Sequence, residues 1–292
     1  IVAAYASNNS ELKEALEIYI RRIENATTLT GGAIGDEWIA ERTADATHVG
    51  YEYCSLHELL DSYTVLLQKQ GNTKTAEAIE TIFYNAAQGS RNPNHSCIAY
   101  LKTDNSFEMM GTKNGEVEPN RNQTRYKYSP AHQDVAVCCN PNAGRITPYF
   151  IEKSWLKEKE NILVNVLLMP NILETKIQNQ LVKIETITEY PYQNKFIYKI
   201  SNPKYAQFII KIRKPSWATK VITNESYSME NDFIVIDRKF GKEDTIQIEF
   251  TTEIQIKEDK IIDKKEAKKF HKKPFKKKPY FKKKFVKKSV AI

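Results

Sequence analysis

The hydrophobic period changes once along this chain, near Asn161, and that change limits the fold to helices first and short strands after. Before it, Leu12, Ala15, Leu16, Tyr19, Ile20 and Ile23 recur at three- and four-residue steps, with Asn8 and Glu11 placed as a cap pair. Leu56, Leu59, Leu60, Tyr63, Leu66 and Leu67 share a second helical face that should stop at Gly71. Ala76, Ile79, Ile82, Phe83 and Ala86 mark a third helix, and Asn142 to Leu156 reads as one more. Helix pairs with short connections predict an all-α array for this half. After Asn161 come Ile162–Leu168, Leu181–Glu189, Phe196–Ile200, Phe208–Ile212, Phe233–Ile236 and Thr245–Phe250, short β-branched or alternating runs separated by turn residues. Several such strands at close spacing predict a β-sandwich ending near Lys257.

The 292 residues, 41% hydrophobic, can bury a substantial core. The division expected is a helical domain over residues 1–157, a β-sandwich over 158–258 and a basic low-complexity tail over 259–292. The formal charge of +8 points to nucleic acid only until it is located. Residues 264–292 hold fourteen Lys against one Glu, so residues 1–263 carry a net −5. The folded body is mildly acidic, and the high isoelectric point belongs to the tail. Its Lys pairs and triplets between Phe, Tyr and Pro cannot bury a core, so the tail is expected to be disordered and solvated. Any nucleic acid or other polyanion would be held through it alone, by charge and aromatic stacking. Out-of-frame reading of an A-rich strand would give the same Lys monotony.

No run approaches the roughly 18 apolar residues of a membrane span, and the start lacks the charged-then-apolar order of a signal peptide. The chain starts at Ile1, so it is expected to be processed or a piece of a longer protein. Compartment and oligomeric state stay open.

Four cysteines in a chain of this length do not make a disulfide framework. Cys138 and Cys139 are adjacent, ahead of Asn140-Pro141-Asn142, while Glu52 and Cys54 form a Glu-x-Cys pair at the start of a helical stretch. In an extended segment, residues two apart point the same way, so Glu52 and Cys54 can grip one ion. Adjacent cysteines need a turn to do so, and Asn-Pro-Asn supplies turn chemistry. Three thiols and a carboxylate suit zinc, although the spacing is not that of a zinc finger. Unremarkable buried thiols are the other reading of the same residues, and Cys97 is expected to be a buried or free thiol. Among candidate acids, Asp36 and Glu37 follow the Gly-rich stretch Thr30–Gly35, where a carboxyl lining a cleft can serve as general acid. A plain surface turn is the alternative. His132 reads as a substrate contact, a base or a solvated loop residue. His48 and His57 read as solvated, His57 on the polar side of its helix.

Thr30-Gly31-Gly32 with Gly35-Asp36-Glu37, then Glu52-Tyr53-Cys54 leading into a helix, then Cys138 to Asn142, and finally Ile212-Arg213-Lys214-Pro215-Ser216-Trp217-Ala218 resemble, in that order, glycoside hydrolase family 127, the β-L-arabinofuranosidases and their relatives. The likeness runs over roughly residues 10–250. It implies an (α/α)6 barrel followed by β-sandwich elements. It also implies retaining hydrolysis of L-arabinofuranosides or related glycans. Zinc would be held by Glu52, Cys54, Cys138 and Cys139, with Cys138 the thiolate nucleophile. Glu37 would be the general acid and base, with Asp36 one residue out of register as the fallback. The chain offers only part of the helices such a barrel needs, so a C-terminal portion of the barrel is expected. The rival is an inactive fragment whose β-rich half serves as a carbohydrate-binding module.

Overall fold

The computed structural model describes residues 1–33, 51–92, 97–102, 104, 125–128 and 138–257. All of these fall within one compact unit, Ile1–Ile261. The helical part comprises α1 (Val2–Ala6), α2 (Ser10–Asn25), α3 (Tyr53–Gln70), α4 (Thr73–Thr81) and α5 (Cys139–Glu152). Helix α4 runs directly into a π-helical turn, Ile82–Ala87.

Local chemistry sets the ends. Asn9, one residue beyond the expected cap, accepts from the amides of Glu11 and Leu12 at 2.8 and 3.2 Å, satisfying donors at the start of α2. Asn8 instead takes a positive φ of 51°. Helix α3 stops at Gly71, whose left-handed φ of 63° lets its amide reach Leu67 O at 2.7 Å. Asn72 then caps α4 through Thr75 N at 2.8 Å. The last helix ends at Glu152, short of the expected Leu156, because Trp155–Lys159 pairs as strand β5 of the sandwich.

The helical half is not all-α. Strands β1 (Tyr51–Glu52), β2 (Arg91–Asn92), β3 (Cys97–Lys102) and β4 (Arg125–Tyr128) form a small antiparallel sheet in which β3 pairs with each of the other three. These strands are too short, and β3 too continuous in its apolar residues, to show a period of two. The sequence between Gln88 and Val137 therefore reads as irregular.

The sandwich has two five-stranded sheets. One runs β12 (Ser228–Glu230), β13 (Phe233–Phe240), β10 (Ala206–Arg213), β6 (Ile162–Asn165), β5. The other runs β11 (Ala218–Thr223), β14 (Glu243–Thr252), β9 (Lys195–Ser201), β8 (Gln180–Thr188), β7 (Asn171–Ile177). All pairs are antiparallel except β10 with β6. Phe208, Ile210, Ile212, Ile234 and Ile236 face Val182, Ile184, Phe196, Ile200, Ile246 and Phe250 to form the sandwich core. The outer side of the first sheet is also buried. Ile162, Val164, Val166 and Phe233 join Leu60, Leu67, Ile79, Phe83 and Phe150 in a second core shared with the helices. The described residues of this unit are thus layered helix, sheet, sheet, with the first sheet in the middle.

Arg213 joins the layers. Fully buried, it donates from Nε to Val166 O at 2.7 Å and pairs through Nη2 with Glu80 of α4. Glu80 also accepts from Leu168 N at 2.6 Å and Tyr190 Oη at 3.1 Å. Glu77 lies 3.8 Å from Arg213 and accepts from the Ser216 amide. The Ile212–Ala218 motif therefore docks the sandwich onto α4. No helix of the described residues is long and apolar enough to cross a membrane.

Candidate metal centre

Two helices begin at the same place. Glu52 is the N-cap residue of α3 and Cys54 lies in its first turn, while Cys138 is the N-cap residue of α5 and Cys139 its first helical residue. Neither Glu52 nor Cys138 uses its side chain to cap its own helix. Only Glu52 is extended, at φ −105° and ψ 142°, so the pair converges because it straddles a strand-to-helix junction rather than a continuous strand. Asn140-Pro141-Asn142 forms the first turn of α5 rather than a separate loop, and it is this helix start that turns two adjacent cysteines toward one point. Both helix dipoles present their positive ends here, where thiolate and carboxylate charge is favoured.

The structure brings one ligand atom from each of the four residues within 4.8 Å of all the others. Cys54 Sγ lies 3.3 Å from Cys139 Sγ, Cys138 Sγ 3.8 Å from Cys139 Sγ, and Glu52 Oε1 4.0 Å from Cys139 Sγ. Zinc–sulfur bonds of about 2.3 Å in a tetrahedron require sulfur–sulfur edges of about 3.8 Å. The two sulfur–sulfur edges at Cys139 fall at that value and somewhat short of it, and the four-residue cluster can hold one metal ion. All three cysteines are free thiols. Cys139 is fully buried, Glu52 and Cys54 are half-buried, and Cys138 is exposed, so the cluster is closed on one side and open at Cys138.

The thiols resist ionising together. Burial pushes the Cys54 thiol up to about 11, with hydrogen bonds from Cys139 and the Asn142 side chain pulling it down and Cys138 pushing it up. Burial, and then Cys54 and Cys138, hold Cys139 far above the ordinary thiol range. Like charges this close need a cation between them before all can be thiolates.

The Gly-rich segment is built against Ile82 and against Tyr51, the residue before Glu52. Thr28 Oγ1 accepts from the Gly32 amide at 3.0 Å, and the Thr28 amide donates to Gly32 O at 3.0 Å. Thr30 donates to Asp104, and Asp104 also meets the buried Tyr51 hydroxyl, whose pKa burial raises and Asp104 raises further. Gly31, at φ 88°, lies against the backbone of Ile82. The segment thus runs to Ala33 beside Tyr51, the residue before Glu52. Asp36, Glu37, His48 and His132 lie outside the described residues. His57 is not on a polar face: it is 3% exposed, with its ring centroid 5.3 Å from that of Tyr149 and Nδ1 3.3 Å from Glu58. A helix packed on both sides by α5 and the other helical elements leaves no polar face at that position. Tyr51, Asp104 and Asn142 carry parts of this site that residue types alone did not mark; only Asn142, inside the Cys-Cys-Asn-Pro-Asn motif, had a signal.

A helical layer over a β-sandwich, with three thiols and a carboxylate at converging helix starts, has the fold of solved glycoside hydrolases. A GH127 β-L-arabinofuranosidase from Geobacillus stearothermophilus T6 matches with a TM-score of 0.67 and 18% identity, over 85% of this chain and 40% of that one. A second GH127 β-arabinofuranosidase matches at 0.67 and 17%, over 86% of this chain and 40% of that one, and a further glycoside hydrolase at 0.55 and 17%, over 70% and 33%. This chain therefore spans about 40% of the length of the first two. Residues 161–252 match the family described as "Beta-L-arabinofuranosidase, GH127 middle domain". No curated protein matches the chain.

Proposed function

We propose that this chain is part of a retaining glycoside hydrolase acting on L-arabinofuranosides or related glycans, with a zinc site of Glu52, Cys54, Cys138 and Cys139. The observation that carries the reading is the meeting of four donor atoms, drawn from segments more than eighty residues apart, within 4.8 Å of one another. Zinc, when bound, would hold these sulfurs as thiolates at neutral pH and fix their positions. Residues 1–157 would belong to an (α/α)6 barrel and carry the chemistry, with 158–258 as its supporting sandwich. A groove of about 730 Å³ between α1, α2 and α3, lined by Val2, Leu16, Tyr19, Ile23, Leu59 and Leu66, fits a helical layer that further helices complete.

In this reading Cys138, the exposed member of the cluster, attacks the anomeric carbon as a thiolate. The bond to the leaving oxygen breaks, and that oxygen takes a proton from Glu37, with Asp36 the alternative. Water then attacks the same carbon, the carbon–sulfur bond breaks, and the carboxylate takes the proton of the water. Two inversions leave the configuration retained, with a thiolate where most such enzymes place a carboxylate. His132 is assigned a contact to the sugar. The binding-module alternative is disfavoured by the shared core, since one face of the first sheet is covered by the helices.

Purified protein should contain one zinc per chain and lose it on Glu52→Ala. A correctly folded, zinc-free protein rejects the site. Turnover of an aryl arabinofuranoside that survives Cys138→Ser in the full-length enzyme rejects the nucleophile.

A further inference from the structure

The four donors come in two pairs, one at the start of α3 and one at the start of α5. Their spacing depends on what holds those two starts together. One side chain from a third element touches both. Arg91, on β2, donates from Nε to Tyr53 Oη at 3.0 Å and from Nη2 to the carbonyl of Ala143. Tyr53 lies between Glu52 and Cys54 and is 1% exposed. Ala143 lies one helical turn beyond Cys139, inside α5. Arg91 is itself fixed from behind. The preceding residue, Ser90, is buried, donates from Oγ to Ala86 O at 2.7 Å and accepts from Ala99 N at 2.8 Å, and Arg91 pairs in register with Ile98 of β3.

We propose that Arg91 is a positioning residue of the metal centre, a clamp that sets the separation of the Glu52–Cys54 and Cys138–Cys139 pairs. This rests on the metal-site reading above. The geometry needs an arginine. Two N–H groups leave a planar guanidinium in divergent fixed directions, one to the hydroxyl on α3 and one to the carbonyl on α5, whereas an ammonium donates from a single atom on a flexible stem and fixes neither direction. The charge contributes as well. A divalent ion with three thiolates and one carboxylate leaves a net negative centre, which a nearby guanidinium offsets. Outer partners that orient metal ligands typically contribute about 10–100-fold to affinity.

The test is cobalt(II) titration of the metal-free full chain, in competition with a chromophoric chelator, while the thiolate-to-cobalt absorption band is followed. Wild-type protein should bind one cobalt with a tetrahedral thiolate spectrum. Arg91→Met should weaken binding about 10–100-fold and shift the band. Arg91→Lys, which keeps charge but not the double contact, should fall between the two. Tyr53→Phe, which keeps the buried ring and removes one arm of the clamp, should shift the band the same way with an unchanged circular dichroism spectrum. A fold defect alone would lower the bound fraction without moving the band. If Arg91→Met and Tyr53→Phe bind cobalt within twofold of wild type with the same band, the role of Arg91 is overturned while the metal centre stands. A wild-type chain that takes up no cobalt overturns both.

Discussion

Gly32 lies so close to Tyr51 that a methyl group on its Cα would stand 2.2 Å from Cδ1 of the ring. Tyr51 precedes Glu52 and pairs with Lys102 across the small sheet, so it has little room to retreat. Gly32→Ala should therefore cost about 1–3 kcal/mol in urea denaturation, as overpacking of a tight site does. Gly144→Ala is the control. A Cβ there meets nothing within 4 Å, and within α5 it should gain about 0.5–1 kcal/mol of helix propensity. Equal midpoints for the two variants would refute the close contact.

The Glu80–Arg213 pair should behave as a buried charge whose loss is severe. Glu80→Gln leaves a fully buried guanidinium short of its main counter-charge, and about 3–5 kcal/mol of stability should be lost. Glu77→Gln should cost less, because Glu77 is 3.8 Å from the guanidinium and 29% exposed. Replacing both partners, as in Glu80→Leu with Arg213→Met, should recover part of the loss by removing the stranded charge. Thermal midpoints of the four proteins decide it.

Thiol reactivity should follow burial. In metal-free protein, timed alkylation read by mass spectrometry should modify exposed Cys138 first and fully buried Cys139 last. Stoichiometric zinc should protect all three thiols together, because one ion engages every member of the cluster. Protection of one cysteine alone would mean that the donors do not share an ion.

The acid limb of stability should depend on Asp244. Burial pushes this carboxyl up, but the Arg238 contact at 3.2 Å and the Gly241 amide outweigh it and hold the pKa below the usual carboxylate value. A group depressed in the folded state stabilises it fully above the unfolded pKa, and that contribution disappears as pH falls through the folded one. Wild-type stability should thus fall below about pH 4, and Asp244→Asn should be less stable at neutral pH with a shallower fall. Chemical denaturation from pH 7 to pH 2.5 checks the sign.

What could be read in the sequence follows burial strand by strand. The six sandwich strands visible as periodic runs, β6, β8, β9, β10, β13 and β14, are the interior strands of the two sheets. The four that were missed, β5, β7, β11 and β12, are the edges. An edge strand buries few side chains: β11 buries Ala218 alone, β12 buries none, and β7 turns Ile172 outward at 58% exposure. Without a buried side there is little alternation to see. The donor residues were visible as motifs, but their convergence was not, because it depends on two helix starts brought together by long-range packing. The reach of Arg91 to Tyr53 and Ala143 is a tertiary contact with no local pattern at all.

One strand of four residues belongs to both cores. In β6, Ile162 and Val164 face the helices while Leu163 faces the second sheet, and Asn165 is locked by Ser154 O at 3.0 Å and Tyr198 Oη at 2.9 Å. A slip of one residue would exchange the sides of every member, so neither core can shift register without dismantling the other. The helices that carry the thiols and the sandwich beneath them should consequently melt as a single cooperative transition, and no separately folding lectin-like half should be recoverable by limited proteolysis.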